Sequence, residues 1–229
     1  MPRRLKPYLL RASLRTDVEL DFGSYPFNIS AVRDLAKIDF HPNVTFFVGK
    51  NGAGKSTVLE AIAIALGFGP ERGTKNVQFR TVDSVSPLHE ALRLARAVPQ
   101  PEDGYFLRAE SFFNVASYMD DVGYVQGYGG SLHARSHGES FMAVLLEKPN
   151  RQLDALSAIP QLVEDSSQFV IAMHSPVLLS YPHARIIQFD QAGLSEVTYE
   201  DTEHYAVTRD FLNNYPRRLE QLLADGEEG

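Results

Sequence analysis

Residues 44–57 read VTFFVGKNGAGKST. The first five form a short continuous apolar run, as expected of a strand buried on both faces. Gly49, four further residues, then Gly54, Lys55 and Ser56 follow with phosphate-loop spacing. The chemistry explains the residue types. Gly52 and Gly54 let the backbone turn with its N–H groups pointing inward at phosphate oxygens. The start of the next helix adds positive potential at the same point. Lys55 reaches the β and γ phosphates, and the Ser56 hydroxyl sits on Mg2+. Lys50, Asn51, Ala53 and Thr57 complete the loop. A glycine turn capping an ordinary helix is the plainer alternative. It is disfavoured by the strand before the loop and by the apolar helix after it, about Lys55 to Leu66, stopped by Gly67 and Gly69.

Around this unit the chain alternates strands and helices. Tyr8–Leu14 reads as a strand, as do YFLRA (105–109) and QFVIAM (168–173). ARIIQFD, QAG and LSEVTY (184–199) read as a hairpin. SPLHEALRLARAV (86–98) has helical spacing, with Ser86 as cap and Pro87 in the first turn. SFFNVASYMDDVG (111–123) is a further expected helix, and two C-terminal helices separate near Pro216. The fold class implied is α/β, a mainly parallel sheet with helices on its faces. One domain over residues 1–224 suits this length, with DGEEG (225–229) as a disordered acidic tail.

Composition narrows the partners. The net charge is −7, which argues against a general nucleic-acid-coating surface. Arg3, Arg4, Lys6, Arg11 and Arg15 crowd the first fifteen residues, and a solvated basic edge is the plain reading. The absence of cysteine excludes disulfides and thiolate metal sites. The N-terminus has basic residues with no long apolar stretch behind them, so no signal peptide is expected. The richest apolar run, VLEAIAIALGF, contains Glu60 and is too short to span a bilayer. A soluble cytoplasmic protein with no membrane partner is the expectation.

The segment IDFHPNVTFFVGKNGAGKSTVLEAIAIALGF (38–68) resembles the ATP-binding heads of ABC-type ATPases, closest to the RecF/SMC-like branch. RSHGES (135–140) resembles the ABC signature, and QFVIAMHSP resembles the switch-histidine segment. FLRAESFFN, RQL, HSP-x-LL-x-YP and YEDTEHY-x-VTRDFLN extend the resemblance to small stand-alone P-loop ATPases of this type, from about Lys37 to Leu223. The resemblance implies a P-loop fold with an N-terminal antiparallel β portion, and ATP and Mg2+ as ligands. It also implies an ATP-dependent homodimer in which Ser136, His137, Gly138 and Glu139 act on the partner's nucleotide. His174 would contact the γ-phosphate or the attacking water from a strand's carboxyl end, where α/β sheets bind ligands. Glu110 is the nearest candidate for the metal-sensing position, where a glutamine is usual. Nucleic acid is a partner by analogy with RecF and SMC heads only. His133, His137, His183 and His204 show no metal-ligand spacing, and YEDTEHY reads as a helix start capped by Asp201 or Thr202.

One part of the pattern breaks. The family carries four apolar residues and then Asp-Glu-Pro, the Walker B strand, shortly before RQL. Here SFMAVLLEKPNRQL (140–153) offers a single acid, Glu147, followed by Lys148. A helix, a strand and a second helix before the histidine strand need roughly 35 residues. Positions 140 to 167 supply 28, and RQLDALSAIPQLVEDS takes 16 of them. Either SFMAVLLEK is the signature helix and the strand is missing, or MAVLLEKP is a degenerate Walker B with Glu147 at the metal-holding position. A missing strand would leave a gap beside the phosphate-loop strand. In both alignments the glutamate that would orient the water is not visible, and a lysine in its place cannot accept a proton. The resemblance thus favours an ATPase, with a nucleotide-gated dimerising module that binds without turnover as the alternative. A small-molecule kinase is the third class, against which the signature and histidine segments argue.

Overall fold

The computed structural model describes residues 7–68, 86–98 and 149–225. In chain order the elements are β1 (Leu9–Leu14), α1 (Ser30–Arg33), β2 (Ile38–Asp39), β3 (Val44–Gly49), α2 (Lys55–Ala65), α3 (Leu88–Ala91), β4 (Leu92–Arg96), α4 (Pro149–Glu164), β5 (Phe169–Ala172), α5 (Pro176–Leu179), β6 (Arg185–Asp190), β7 (Gly193–Val197) and α6 (Glu203–Asp225). They form a four-stranded sheet of order β5-β3-β6-β7 and a three-stranded sheet of order β2-β1-β4. In the first, β5 and β6 run parallel to β3, and β7 closes an antiparallel hairpin on β6. The second is antiparallel throughout. This mixed α/β arrangement is compatible with a P-loop NTPase fold.

All six residues of β3 are buried, as its continuous apolar run requires. Alternation along the strand divides the core between the two faces of the sheet. Val44, Phe46 and Val48 pack with Ala155 and Ile159 of α4 and Leu179 of α5. Phe47 faces the other way, into a cluster with Val58 and Ile62 of α2, Leu92 of β4 and Phe189 of β6. Helices therefore cover both faces of the phosphate-loop strand, which is buried along its whole length.

Gln168, at the entrance to β5, ties the two sheets together. Its Oε1 accepts from the N–H groups of Tyr8 and Leu9 at 3.0 and 2.9 Å, and its Nε2 donates to the carbonyls of Leu9 and His41 at 2.8 and 3.0 Å.

Two expectations are corrected. Residues 86–98 are not one helix: a single turn, Leu88–Ala91, gives way to the strand Leu92–Arg96, which pairs with β1. The stretch LRLAR alternates as well as it spirals, and backbone pairing with β1 decides between the two periods. Nor does β3 need a further strand beside it. Its neighbours are β5 on one side (Val44↔Phe169 to Phe47↔Ala172) and β6 on the other. Among the described residues β5 pairs only with β3, and the Walker B candidate MAVLLEKP lies largely outside the described residues.

Other expectations hold. The hairpin forms, with Ala192 N–H donating to the Asp190 carboxylate at 2.7 Å in its turn. Gly67 ends α2 in the left-handed region, at φ +93°. The C-terminal helix kinks at Asn214 (φ −129°), just before Pro216, whose ring cannot continue the i to i−4 ladder. Of the basic N-terminal residues, Arg11 pairs with Asp39 and Arg15 with Asp17, while Arg3, Arg4 and Lys6 lie outside the described residues.

Candidate functional site

The site lies at the carboxyl ends of β3 and β5. The last residue of β3, Gly49, has φ +134°, and a Cβ there would come within 2.1 Å of the Phe189 carbonyl oxygen. The close approach of β6 thus demands glycine. Gly52 (φ +80°) and Gly54 (φ +95°) also occupy conformations that L side chains rarely adopt. A Cβ on Gly52 would meet nothing within 4 Å, so its glycine serves the backbone path alone. Gly54 opens α2 with no side chain capping the first turn. The N–H groups of that turn are left for a ligand, with the positive end of the helix behind them.

Lys55 begins α2 and is 6% exposed. Its Nζ donates to the carbonyls of Gly49 at 2.7 Å and Lys50 at 2.9 Å. No carboxylate pairs with it among the described residues. Burial lowers its pKa, since desolvation disfavours the charged form. A buried ammonium held only by carbonyl dipoles is an electrostatic deficit that an anion can relieve. Ser56 is exposed at the mouth of the loop, a position from which a hydroxyl can take a cation, and Lys50, Asn51 and Gly52 are exposed around it. These features fit a phosphate–magnesium ligand: N–H groups and Lys55 for the anion, Ser56 for the metal. Among the described residues no cluster of three or more His, Cys, Asp or Glu could hold a metal by itself. Thr57 lies one step further in, with its hydroxyl 3.4 Å from that of Tyr25.

The second wall comes from β5 and α6. Met173 N–H donates to Phe47 O at 3.1 Å, which keeps β5 in register to its end. His174 follows and is exposed. Ser175 caps α5, accepting from Leu178 N–H at 3.3 Å, and donates its own hydroxyl to Gln152 of α4 at 2.7 Å. Pro176 opens α5. The turn carrying His174 is therefore fixed from two sides.

His174 has a partner that sequence reading missed. Its Nδ1 lies 2.8 Å from Nε2 of His204, on the first turn of α6. Thr202 places that turn: it is fully buried, accepts from Tyr205 N–H at 3.3 Å and donates to Tyr199 O at 2.7 Å. Of the two caps considered for YEDTEHY, Thr202 is the cap. Lys50 Nζ reaches Glu203 at 3.7 Å, a link between the loop and α6. Burial, and then the Lys55 charge and the neighbouring imidazole, lower the pKa of His174. Burial lowers that of His204, opposed by Glu203 and aided by Lys55. Both rings are therefore neutral at pH 7. Nothing in the spacing marks His204, which stands thirty positions beyond His174.

The structure thus brings together Gly49, Lys50, Asn51, Gly52, Ala53, Gly54, Lys55, Ser56, Thr57 and His174. Glu110, Ser136, His137, Gly138, Glu139 and Glu147 lie outside the described residues.

A family model described as an AAA domain matches residues 21–116. That span contains the phosphate loop, and the match supports an AAA-type P-loop ATPase-like protein that binds nucleotide. No curated protein and no solved structure matches the chain. No helix among the described residues is long and apolar enough to cross a membrane.

Proposed function

We propose that this chain is an ABC/RecF-like ATPase that binds Mg·ATP at the loop 49–57 and works as a nucleotide-sandwich dimer. The observation that carries the reading is Lys55, a buried cation whose partners among the described residues are carbonyls alone, at the head of an uncapped helix. A polyphosphate supplies the missing negative charge. Lys55 and the loop N–H groups hold the β and γ phosphates, and Ser56 holds the magnesium ion, which when bound neutralises charge on the phosphates. His174 stands across the loop, where an imidazole can hydrogen-bond the terminal phosphate or the attacking water. In the dimer Ser136, His137, Gly138 and Glu139 would act on the partner's nucleotide, Glu110 would assist at the metal, and Glu147 would stand at the metal-holding position of a degenerate Walker B segment.

A second reading has its own support. Lys148 follows Glu147 where a catalytic glutamate is expected. On this reading the chain binds ATP and dimerises without turnover, a switch between two populations. Steady-state phosphate release from Mg·ATP, with Lys55→Ala purified in parallel as background, separates the two. Turnover above background supports the ATPase. No turnover, with ATP binding still measurable in the wild type, leaves the switch.

A further inference from the structure

The contact between the two imidazoles admits one proton, and its position decides what His174 can offer a ligand. If the proton sits on His204 Nε2, it is donated to His174 Nδ1, and the remaining proton of His174 is on Nε2. If it sits on His174 Nδ1, His204 must carry its own proton on Nδ1, and His174 Nε2 is a bare acceptor. The His204 Nδ1 atom is buried and has no hydrogen-bond partner among the described residues. A buried N–H without an acceptor is among the rarest defects of folded proteins. The first arrangement avoids it, and it also keeps both rings in the Nε2–H form that imidazole side chains prefer in water.

From this geometry we infer that His204 is a positioning residue: its Nε2–H locks His174 in the tautomer that presents an N–H donor to the terminal phosphate of a bound nucleoside triphosphate. The inference rests on the nucleotide reading above. Three surroundings agree with it. His174 is exposed while His204 is half-buried, so the free edge of the pair belongs to His174. Lys55 is near enough to oppose protonation of both rings, which keeps one N–H between them rather than two. The N-cap by Thr202 fixes the turn carrying His204, and the Lys50–Glu203 contact places that turn beside the loop. Triphosphate recognition would then draw on the C-terminal helix as well as the loop.

Two measurements test this. Long-range 1H–15N correlation on 15N-histidine-labelled protein, without nucleotide, reads the tautomer of His174, assigned with His174→Gln. The ratio of ATP to ADP affinity reads its use. The wild type is expected to show Nε2–H at His174. His204→Ala should give mixed tautomers at His174 and free its ring to turn, lowering the ATP/ADP ratio about threefold or more, with ADP affinity nearly unchanged. His204→Gln, whose amide N–H has nearly the reach of imidazole Nε2, should restore the ratio, and the shorter His204→Asn should not. Thermal melts of the Gln and Asn variants check that both fold. An Nδ1–H tautomer in the wild type, or an unmoved tautomer in His204→Ala, overturns the lock. A moved tautomer with an unchanged ATP/ADP ratio overturns the positioning role and leaves nucleotide binding standing. Failure of the wild type to bind either nucleotide is a failure of the nucleotide reading itself, whatever the spectrum shows.

Discussion

The two walls of the site are built by different means. The phosphate loop is held by backbone: three glycines at positive φ, a strand buried along its whole length, and a β6 carbonyl pressed against Gly49. The histidine wall is held by side chains: one hydrogen bond between imidazoles, a threonine cap and a long ion pair. Backbone-built geometry is fixed when the sheet folds, whereas side-chain geometry can be retuned by single groups. The loop should therefore respond to substitution as part of the fold, and the histidine wall as a ligand contact.

The sharpest way to break this comparison is Gly49→Ala. The new Cβ would stand 2.1 Å from a backbone oxygen that cannot step aside, so a loss of on the order of 4 kcal/mol in denaturant unfolding is expected. Gly52→Ala is its counterpart, since nothing lies within 4 Å of the added methyl. It should cost only about 1–2 kcal/mol, for the positive φ alone, while ATP affinity drops. Equal stability losses in the two variants would mean that steric contact with β6 does not hold the loop.

Gln168→Ala comes next. Four hydrogen bonds, three to the start of β1 and one to His41 in the loop before β3, go with it, and about 1–3 kcal/mol of stability should be lost, read by the same unfolding titration. Amide exchange at Tyr8 and Leu9 should quicken while β3 stays protected.

The histidine wall answers to acid. His174 and His204 have folded pKa values below their ordinary 6.5. Just below 6.5 the unfolded chain binds more protons than the folded one, so stability falls as pH falls through 6.5 towards those lowered values. Double protonation also turns both facing nitrogens into donors and breaks their bond. A modest fall in melting temperature between pH 7 and pH 5, reduced in His174→Gln/His204→Gln, is the expected result. The smallest effect belongs to Lys50→Ala: an exposed pair at 3.7 Å should contribute under about 0.5 kcal/mol.

The same contrast explains what could be read from the chain. The phosphate loop is contiguous, and each of its residues carries its own reason: an apolar run, glycines where φ is positive, a lysine at the helix start. Periodicity and local turn chemistry suffice for such a unit. Leu92–Arg96 was misread because LRLAR satisfies both helical and strand periods, and only the register with β1 chooses. His204 was passed over because its partner is thirty residues away, and because YEDTEHY is already explained by its threonine cap. The cap reading was right, yet it hid what the cap positions. The expected gap beside β3 failed because strand order is a tertiary fact, which loop lengths do not reveal.

The most direct test of a phosphate site at Lys55 is isothermal titration of Mg·ATP into the wild type and Lys55→Ala, with each variant's unfolding free energy measured alongside. A buried ammonium with no carboxylate partner among the described residues is set up for an anionic ligand more than for the fold. Saturable wild-type binding should therefore weaken by on the order of a hundredfold in Lys55→Ala, with stability unchanged or raised. Equal ATP affinity in the two proteins, or no binding by the wild type at millimolar nucleotide, would contradict the account.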